Sequence, residues 1–245
     1  TQTTNASGQI NLTNLVPGTY TAVETLQAGW RNTKPGGGAL SQSATVAAGA
    51  TASLTSGNQA EGVSIGAPAD VPVGGEFVAR VYITQVSDLA AYQFDLSYDP
   101  TVLQVLTVLP GSIGGGTMPV GIWAFVPAGV QGKVRVLGYV SPAAPLSGSG
   151  YLAEVRLRVV GSATQTSGLA FSQGKLFDSH AQQIDPMLWV DGLVRVFRPG
   201  DAIEDGVLEM SDVIKILRII VNLDVRVAGA DANLDGTIDM ADVLK

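Results

Sequence analysis

The sequence predicts a mainly β protein that is built from antiparallel β-sandwiches and ends in a small α-helical module. Up to about residue 197, short segments rich in valine, threonine and aromatic residues alternate between apolar and polar side chains, and Gly, Pro, Asn and Ser separate them. A period of two residues is typical of strands that bury one face. Near the carboxyl end the period of the apolar residues changes to about 3.6, which is typical of an amphipathic helix.

Two segments show the strand pattern most clearly. In residues 91–98 and 151–159 every second side chain is apolar, and most of those between are polar or charged. Further candidate strands are residues 77–84, 133–140 and 188–196, and a long loop is predicted for residues 110–118. Many short strands without helical periods between them predict an antiparallel sandwich.

Two changes in composition divide the chain. The first lies near residues 58–62, where a Thr/Ser/Ala/Gly-rich passage gives way to a new alternating run, and the second is the Pro/Gly joint at residues 197–200. A chain of 245 residues also exceeds the usual size of one domain. The sequence therefore predicts three units, at residues 1–60, 62–197 and 198–245.

The composition argues against most catalytic sites. The chain has no cysteine, which excludes disulfides, thiol nucleophiles and zinc sites with cysteine ligands. Its one histidine, His180, lies in a polar segment and is interpreted as a solvated loop residue. The carboxylates of residues 1–197 are scattered singly on predicted strands, although spacing leaves open a glycosidase-type pair. We therefore expect no catalytic residues and no enzyme.

Charge and hydropathy indicate the kind of partner. No run of eighteen apolar residues occurs, since even residues 213–221 are broken by Lys215 and Arg218, so no membrane span is expected. The net charge is −7, and residues 198–245 contribute −5 of it through ten acidic and five basic side chains. Without a basic stripe, nucleic acid is not an expected partner. The clustered carboxylates indicate a cation instead.

Residues 231–242 have the spacing of a calcium-binding loop. Oxygen-bearing side chains stand at the first, third, fifth, ninth and twelfth places, and Gly236 at the sixth place permits a sharp turn. Ile238 at the eighth place is expected to join the core. The predicted ligands are Asp231, Asn233, Asp235, the carbonyl of Thr237, Asp239 through water, and Asp242 as the bidentate end.

The same pattern occurs thirty residues earlier, in residues 201–212, but with one ligand fewer. Ile203 stands at the third place, where an oxygen ligand is expected, and water or Glu204 could compensate. The predicted ligands of this loop are Asp201, Asp205, the carbonyl of Val207, Glu209 and Asp212. We expect the first loop to bind calcium less tightly than the second. An amphipathic helix should follow it, with Val213, Ile214, Ile216, Leu217 and Ile220 inward and Lys215 and Arg218 outward.

This duplicated loop and helix resembles dockerin modules, in which each half is an EF-hand-like calcium loop followed by one helix. Residues 201–245 cover the first half but only the loop and the first turn of the second, so the second helix is expected to be truncated. The resemblance implies Ca²⁺ as the cofactor and a cohesin-bearing protein as a partner.

Residues 71–77, 89–103 and 148–155 resemble a cohesin domain. The most specific part is the stretch Tyr-Gln-Phe-Asp-Leu-Ser-Tyr-Asp-Pro at residues 92–100, and the resemblance spans about residues 62–197. It implies a jelly-roll β-sandwich whose sheet face binds dockerin. The alternative is that these residues are only core and turn residues of a carbohydrate-binding-like sandwich.

Residues 8–10, 14–20, 24–25 and 28–30 resemble the B-type repeats of collagen-adhesin-like surface proteins, which are transthyretin-like sandwiches that act as stalks. In relatives with an isopeptide bond, a glutamate at the place of Glu24 assists the cross-link. The lysine-bearing strand would precede Thr1, so Glu24 is interpreted as an ordinary strand residue. Segments around Ile10, Tyr20, Val46 and Leu54 suggest a partial unit of about four strands, completed by other residues of the parent or by a neighbouring copy.

Taken together, the residues and resemblances predict a non-catalytic, secreted or cell-surface assembly protein that uses calcium-dependent cohesin–dockerin-type contacts. Its partners would be other copies of itself, joined head to tail into a filament or surface layer, or a foreign protein that carries a cohesin or dockerin. Cell-surface polysaccharide is a further expected partner. The alternative is a scaffold or accessory subunit of a polysaccharide-degrading, cellulosome-like complex.

Overall fold

The computed structural model describes residues 12–13, 15–23, 30–34, 41–60, 62–184 and 188–245. The chain forms two compact units, Thr1–Ala60 and Glu61–Lys245. As predicted, the fold is mainly β and contains a β-sandwich. No helix among the described residues is long and apolar enough to cross a membrane.

The described residues of the first unit form two antiparallel strand pairs. Strand β1 (Gly18–Val23) pairs with β3 (Ser41–Val46), and β2 (Trp30–Lys34) pairs with β4 (Gly57–Ala60). The strand predicted around Leu54 is wrong, because residues 51–56 form no regular structure. Ile10 and Glu24 lie outside the described residues. The transthyretin-like unit therefore stays a prediction.

The second unit is a sandwich whose two layers share one long strand. Strand β7 pairs with β5 and β12 through its first half, and with β11 and β13 through its second half. Most pairs are antiparallel, but β14 runs parallel to β5 and β15 parallel to β6. The strands are β5 (Gly62–Gly66), β6 (Asp70–Pro72), β7 (Glu76–Ser97), β8 (Leu103–Ile113), β9 (Gly116–Met118), β10 (Ile122–Phe125), β11 (Lys133–Tyr139), β12 (Leu146–Val159), β13 (Thr166–Asp178), β14 (Leu188–Val190) and β15 (Gly192–Phe197).

Strand β7 joins two segments that the sequence predicts as separate strands. It passes from one layer to the other near Asp88, whose φ of 60° bends the chain without ending the hydrogen-bonded ladder. The predicted inward face is confirmed, since Tyr92, Phe94 and Leu96 are almost fully buried. Pairing with β12 and β13 therefore makes one continuous strand of two segments that the local alternation pattern predicts as separate.

Two further strand predictions need correction. Residues 110–118, predicted as a long loop, instead form the end of β8 and a tight hairpin to β9, with Gly114 and Gly115 at φ +57° and +86°. Pro110 pairs with β12 on one side only, and a proline is tolerated at such a sheet edge because no ladder bond needs its N–H. Residues 188–196 form two strands, β14 and β15, rather than one.

The core between the layers leaves no space at Gly138 in β11. A Cβ atom there would lie 2.1 Å from Cε1 of Tyr92 and 2.2 Å from the carbonyl oxygen of Pro119. Tyr92 is buried, which raises the pKa of its hydroxyl. Glycine at this position therefore leaves room for the Tyr92 ring beside the backbone of β11.

We expect Gly138→Ala to destabilise the sandwich by about 1–3 kcal/mol, because the added methyl group overpacks a closed core. Gly168→Ala is the matched control, since Gly168 also lies in a strand and a Cβ atom there meets nothing within 4 Å. Urea unfolding of both variants measures the difference. Equal midpoints for the two would contradict the packing described at Gly138.

The carboxyl-terminal module, residues 198–245, has helix α1 (Met210–Ile220), a 3-10 turn (Ala228–Ala230) and helix α2 (Met240–Val243). Ile216 and Ile219 of α1 pack against Ala202 and Ala230 in a small core, and Ile238 packs against it as predicted. The predicted inward face of α1 is partly wrong, because Ile214 and Leu217 are 53% and 38% exposed. The helix is apolar on two sides, and the small core takes only one of them.

Candidate interaction surfaces and metal-binding loops

The first carboxylates of the two acidic loops organise the loop backbone in the same way. Asp201 accepts hydrogen bonds from the amide groups of residues 204–206, at 2.7–3.2 Å. Asp231 accepts them from the amide groups of Asp235 and Gly236, at 3.2 and 2.9 Å. Each loop thus curls around its first carboxylate, as a loop that wraps one cation must do.

The last carboxylates close the loops from the helices. Asp212 and Asp242 both accept hydrogen bonds from amide groups across the loop and from the residue before the helix. The donors are the amides of Ile203 and Glu209 for Asp212, at 2.9 Å each, and those of Ala232, Asn233 and Asp239 for Asp242, at 2.8, 3.1 and 2.9 Å. The twelfth carboxylate of each loop therefore ties the loop backbone to the start of the following helix.

The remaining predicted ligands lie between these ends. They are Asp205, Val207 and Glu209 in the first loop and Asn233, Asp235, Thr237 and Asp239 in the second. The amide of Val207 donates to Asp205, and that of Thr237 donates to Asp235, both at 2.9 Å. Hydrogen bonds from the hydroxyl and amide of Thr237 lower the pKa of Asp235, which keeps this carboxylate ionised.

The donor set fits a hard cation. Asp201, Asp212 and Asp242 are only 2–3% exposed, and no ion pair among the described residues joins them to a lysine or arginine. Buried carboxylates are costly unless a positive charge compensates them. Oxygen ligands in a loop with a glycine at the sixth place suit Ca²⁺ better than softer metals.

Helix α1 carries an exposed apolar stripe on the side away from its core. The stripe consists of Met210, Ile214, Leu217 and Val221, which are 70%, 53%, 38% and 60% exposed. Their spacing of four, three and four residues places them on one side of the helix. In the second repeat, Met240 and Leu244 occupy the places of Met210 and Ile214 and are 51% and 83% exposed.

The sandwich has an exposed sheet face formed by β10, β11, the second half of β7, and β13. Strand register places Ile122, Leu137, Gln93 and Lys175 in one row across this face. A second row joins Ala124, Arg135, Asp95 and Ser172. Both rows point away from the core, because Val134, Val136 and Phe94 between them are buried.

One edge of this face is apolar. Ile122 and Tyr139 are 64% and 67% exposed, and Leu137 lies beside them. The ring of Tyr139 lies over Gly121, where a Cβ atom would come within 2.8 Å of it. Ile122, Leu137 and Tyr139 together form an edge patch on which a second apolar surface could pack.

The centre of the same face carries an ion pair that the alternating pattern does not predict. Arg135 donates to both oxygens of Asp95, at 2.7 and 2.9 Å, and Asp95 is 2% exposed. This pairing raises the pKa of Arg135. Strand alternation places Asp95 outside the core, but the guanidinium from the neighbouring strand covers it.

Asp88, Asp178 and His180 lie together at the end of β13, with their ligand atoms within 4.8 Å of one another. Asp178 accepts hydrogen bonds from the amides of His180 and Gln182, and Asp88 accepts one from the Ser179 hydroxyl. His180 is 81% exposed, as the sequence predicts. These hydrogen bonds give the two acidic side chains a structural role, because they hold the turn together.

The profile of the cohesin domain matches residues 62–196, the whole sandwich. The chain belongs to the cohesin family. Cohesin domains are non-catalytic protein-binding modules, so the chain takes part in protein–protein assembly. The cohesin resemblance in residues 71–77, 89–103 and 148–155 is thereby confirmed, and the alternative of a carbohydrate-binding-like sandwich is set aside.

Solved structures of cohesins are similar to a little over half of the chain. A non-cellulosomal cohesin from the archaeon Archaeoglobus fulgidus is 22% identical, with a TM-score of 0.45 over 55% of this chain and 89% of its own. A cohesin module of a family 33 glycoside hydrolase from Clostridium perfringens is 17% identical, with a TM-score of 0.48 over 56% and 97%. One chain of a type I cohesin–dockerin complex from Clostridium thermocellum is 17% identical, with a TM-score of 0.46 over 56% of this chain and 98% of its own. No curated protein matches the chain.

Proposed function

We propose that the chain is an assembly protein in which the cohesin domain of one copy binds the carboxyl-terminal module of the next. The observation that carries this proposal is the exposed apolar stripe on α1, Met210, Ile214, Leu217 and Val221. A four-residue apolar stripe on a helix that already buries its other side is the form of a helix that docks on a partner. The exposed edge patch on the cohesin face offers the second surface.

Two different surfaces on one chain make a head-to-tail contact. Such a heterologous contact generates an open filament unless a rotation closes it into a ring. We propose this mode over a foreign scaffold because both surfaces are present on one chain. A scaffold or accessory role in a polysaccharide-degrading complex would require a foreign cohesin-bearing or dockerin-bearing partner, and polysaccharide binding is a separate proposal.

The carboxyl-terminal module is proposed to act as a dockerin that is held by Ca²⁺. The ligands would be Asp201, Asp205, the carbonyl of Val207, Glu209 and Asp212 in the first loop, and Asp231, Asn233, Asp235, the carbonyl of Thr237, Asp239 and Asp242 in the second. Bound calcium would supply the positive charge that the buried carboxylates lack. With those charges balanced, Asp212 and Asp242 hold the starts of α1 and α2 in place through hydrogen bonds. The stripe on α1 then stays in a fixed position, in which a partner can bind it.

We further propose that the protein works outside the cell, with residues 1–60 as a collagen-adhesin-type stalk. The support for a stalk is the pairing of β1 with β3 and of β2 with β4, together with the resemblance of residues 8–10, 14–20, 24–25 and 28–30 to B-type repeats.

Sedimentation velocity over a range of chain concentrations tests the proposed assembly. In calcium we expect species that grow beyond the dimer as concentration rises, because a head-to-tail contact leaves a free surface at each end. A monomer at every concentration would contradict self-assembly. If such a monomer still bound an unrelated cohesin or dockerin, the foreign-scaffold role would be the correct one.

We expect the two calcium sites to be unequal. Ile203 cannot ligate at the place where Asn233 can, so the first loop has one oxygen ligand fewer. Asp231→Ala should therefore abolish the tighter binding step in calorimetry, and Asp201→Ala only the weaker one. Two equal sites, or a tighter first site, would show that water or another group completes the first loop.

A further inference from the structure

The joint between the cohesin domain and the carboxyl-terminal module is short and packed. Only residues 198–200 separate the end of β15 from Asp201, which is already buried inside the module. The amide of Gly200 donates to the carbonyl of Gly229 at 2.7 Å. A Cβ atom at Gly229 would lie 1.9 Å from the carbonyl oxygen of Asp201, so this backbone contact is close. The joint is thus part of the fold of the module rather than a free linker.

Arg195 of β15 connects the two parts. Its Nε donates to Asp70 of β6 at 2.6 Å, and its Nη1 donates to Oε2 of Glu204 in the first loop at 2.5 Å. The hydrogen bonds to Glu204 and Asp70 raise the pKa of Arg195. A planar guanidinium that joins two carboxylates fixes direction as well as distance. We call this contact, formed by Asp70, Arg195 and Glu204, the clamp.

The internal repeat shows that the clamp is a special feature of the first loop. Glu204 and Leu234 occupy the same place in the two loops and have nearly the same backbone, with φ of 65° and 62°. Leu234 is exposed, whereas the side chain of Glu204 is half-buried and paired with Arg195. Neither backbone geometry nor the loop pattern requires a glutamate here. Its contact is with the cohesin domain.

Both proposed docking surfaces are exposed in the structure, in which the clamp is formed. Met210 and Ile214 of the stripe are 70% and 53% exposed, and Ile122 and Tyr139 of the edge patch are 64% and 67% exposed. The module of this chain therefore does not cover the patch of the same chain.

Strand register shows how far the clamp lies from the edge patch. Arg195 lies opposite Thr166 at the start of β13, whereas the row of the edge patch meets β13 at Lys175. At roughly 3.3 Å per residue this is about 30 Å along the strand. The patch itself lies farther across the sheet, on β10 and β11.

We infer that the clamp holds the carboxyl-terminal module where its stripe cannot reach the cohesin face of the same chain, so that only a second copy can cover it. This inference rests on the proposed function for what the stripe binds, whereas the clamp itself is independent of it. Arg195 and Glu204 are positioning residues: they touch no partner, and they determine whether docking occurs within a chain or between chains.

The clamp is tested by distance measurement between two spin labels in monomeric chains. Because the sequence has no cysteine, Lys175→Cys and Lys215→Cys label only β13 and α1. Tyr139→Asp in the same chains removes the patch and prevents association. Calcium is present throughout.

We expect a narrow distance distribution in this parent, at least a twofold broader one after Glu204→Leu, and no broadening after Leu234→Glu. Glu204→Leu gives the first loop the residue that the second loop already tolerates with the same backbone, so folding should be preserved. A parent distribution as broad as that of the Glu204→Leu chain, or equal widths in all three chains, would overturn the clamp. Equal broadening by both substitutions would do so as well, since the effect would then not involve Arg195.

The consequence for docking is tested by lengthening the joint. A Gly/Ser segment of about 20 residues, with a root-mean-square span of about 25 Å, is inserted between Phe197 and Arg198 in a chain that also carries Glu204→Leu. We expect docking within the chain, seen as a shorter label distance and at least a tenfold weaker association between chains. Adding Tyr139→Asp should restore the long distance. Unchanged association of the lengthened chain would overturn the inference. If the natural chain never associates, the proposed function is refuted. The spin-label distances then still decide whether the clamp exists.

Discussion

Removing calcium will lower the stability of the carboxyl-terminal module by about 2.7 kcal/mol for each site that is saturated at a hundred times its dissociation constant. The cause is the set of buried carboxylates at Asp201, Asp212 and Asp242, which have no basic partner among the described residues. Without a cation these buried charges have only backbone amides as partners. The small core formed by Ala202, Ile216, Ile219 and Ala230 offers little apolar area to offset the cost of burying them.

Hydrogen exchange with and without a chelator measures this effect. We expect the amides of residues 213–221, in α1 and at its carboxyl end, to lose protection when calcium is removed, because Asp212 no longer holds the start of the helix. The second half of β7 is the internal control, since its buried residues lie in the separate core of the cohesin domain. Equal protection of α1 in both conditions would mean that the metal is not structural.

Ile214→Asp will weaken the association between chains by about a hundredfold, which corresponds to about 2.7 kcal/mol at an interface. Ile214 lies in the middle of the stripe and is 53% exposed, so the substitution leaves the core of the module intact. A buried carboxylate without a partner is costly when the stripe is covered. Tyr139→Asp should have an effect of similar size from the other side of the contact.

Each variant has a matched control of the same chemistry. Val225→Asp changes a residue of the same module that is 77% exposed and lies outside α1, and Val130→Asp changes one that is 53% exposed in the loop between β10 and β11. Both controls should associate like the natural chain in sedimentation velocity. If Val225→Asp weakened association as much as Ile214→Asp, general charge rather than the stripe would be responsible.

Alternation along the sequence predicted the inner face of the sandwich but not its outer one. Tyr92, Phe94 and Leu96 are inward as the pattern requires, since a period of two residues assigns each side chain to a face. Burial of Asp95 could not be predicted, because it depends on Arg135, forty residues later in the chain. The continuity of β7 through Asp88 also depends on pairing with β12 and β13.

The predicted loops and the position of α1 follow from local spacing, but the candidate binding surface does not. Helix α1 is apolar on two sides, and the sequence does not tell which side meets the core. Ile216 and Ile219 are inward because the small side chains of Ala202 and Ala230 admit them, which leaves Ile214 outside. The contact of Arg195 with Glu204 joins two predicted units. Neither the strand alternation of the first nor the loop spacing of the second could therefore predict it.

Mixing two disabled chains tests head-to-tail assembly most directly. A chain with Ile214→Asp keeps only the cohesin patch, and a chain with Tyr139→Asp keeps only the stripe. Mass photometry of each chain alone in calcium should show monomers, and an equal mixture should show a dimer of one copy of each that disappears when a chelator is added. A mixture that remains monomeric, while the natural chain associates, would contradict a contact between the stripe of one copy and the cohesin face of the next.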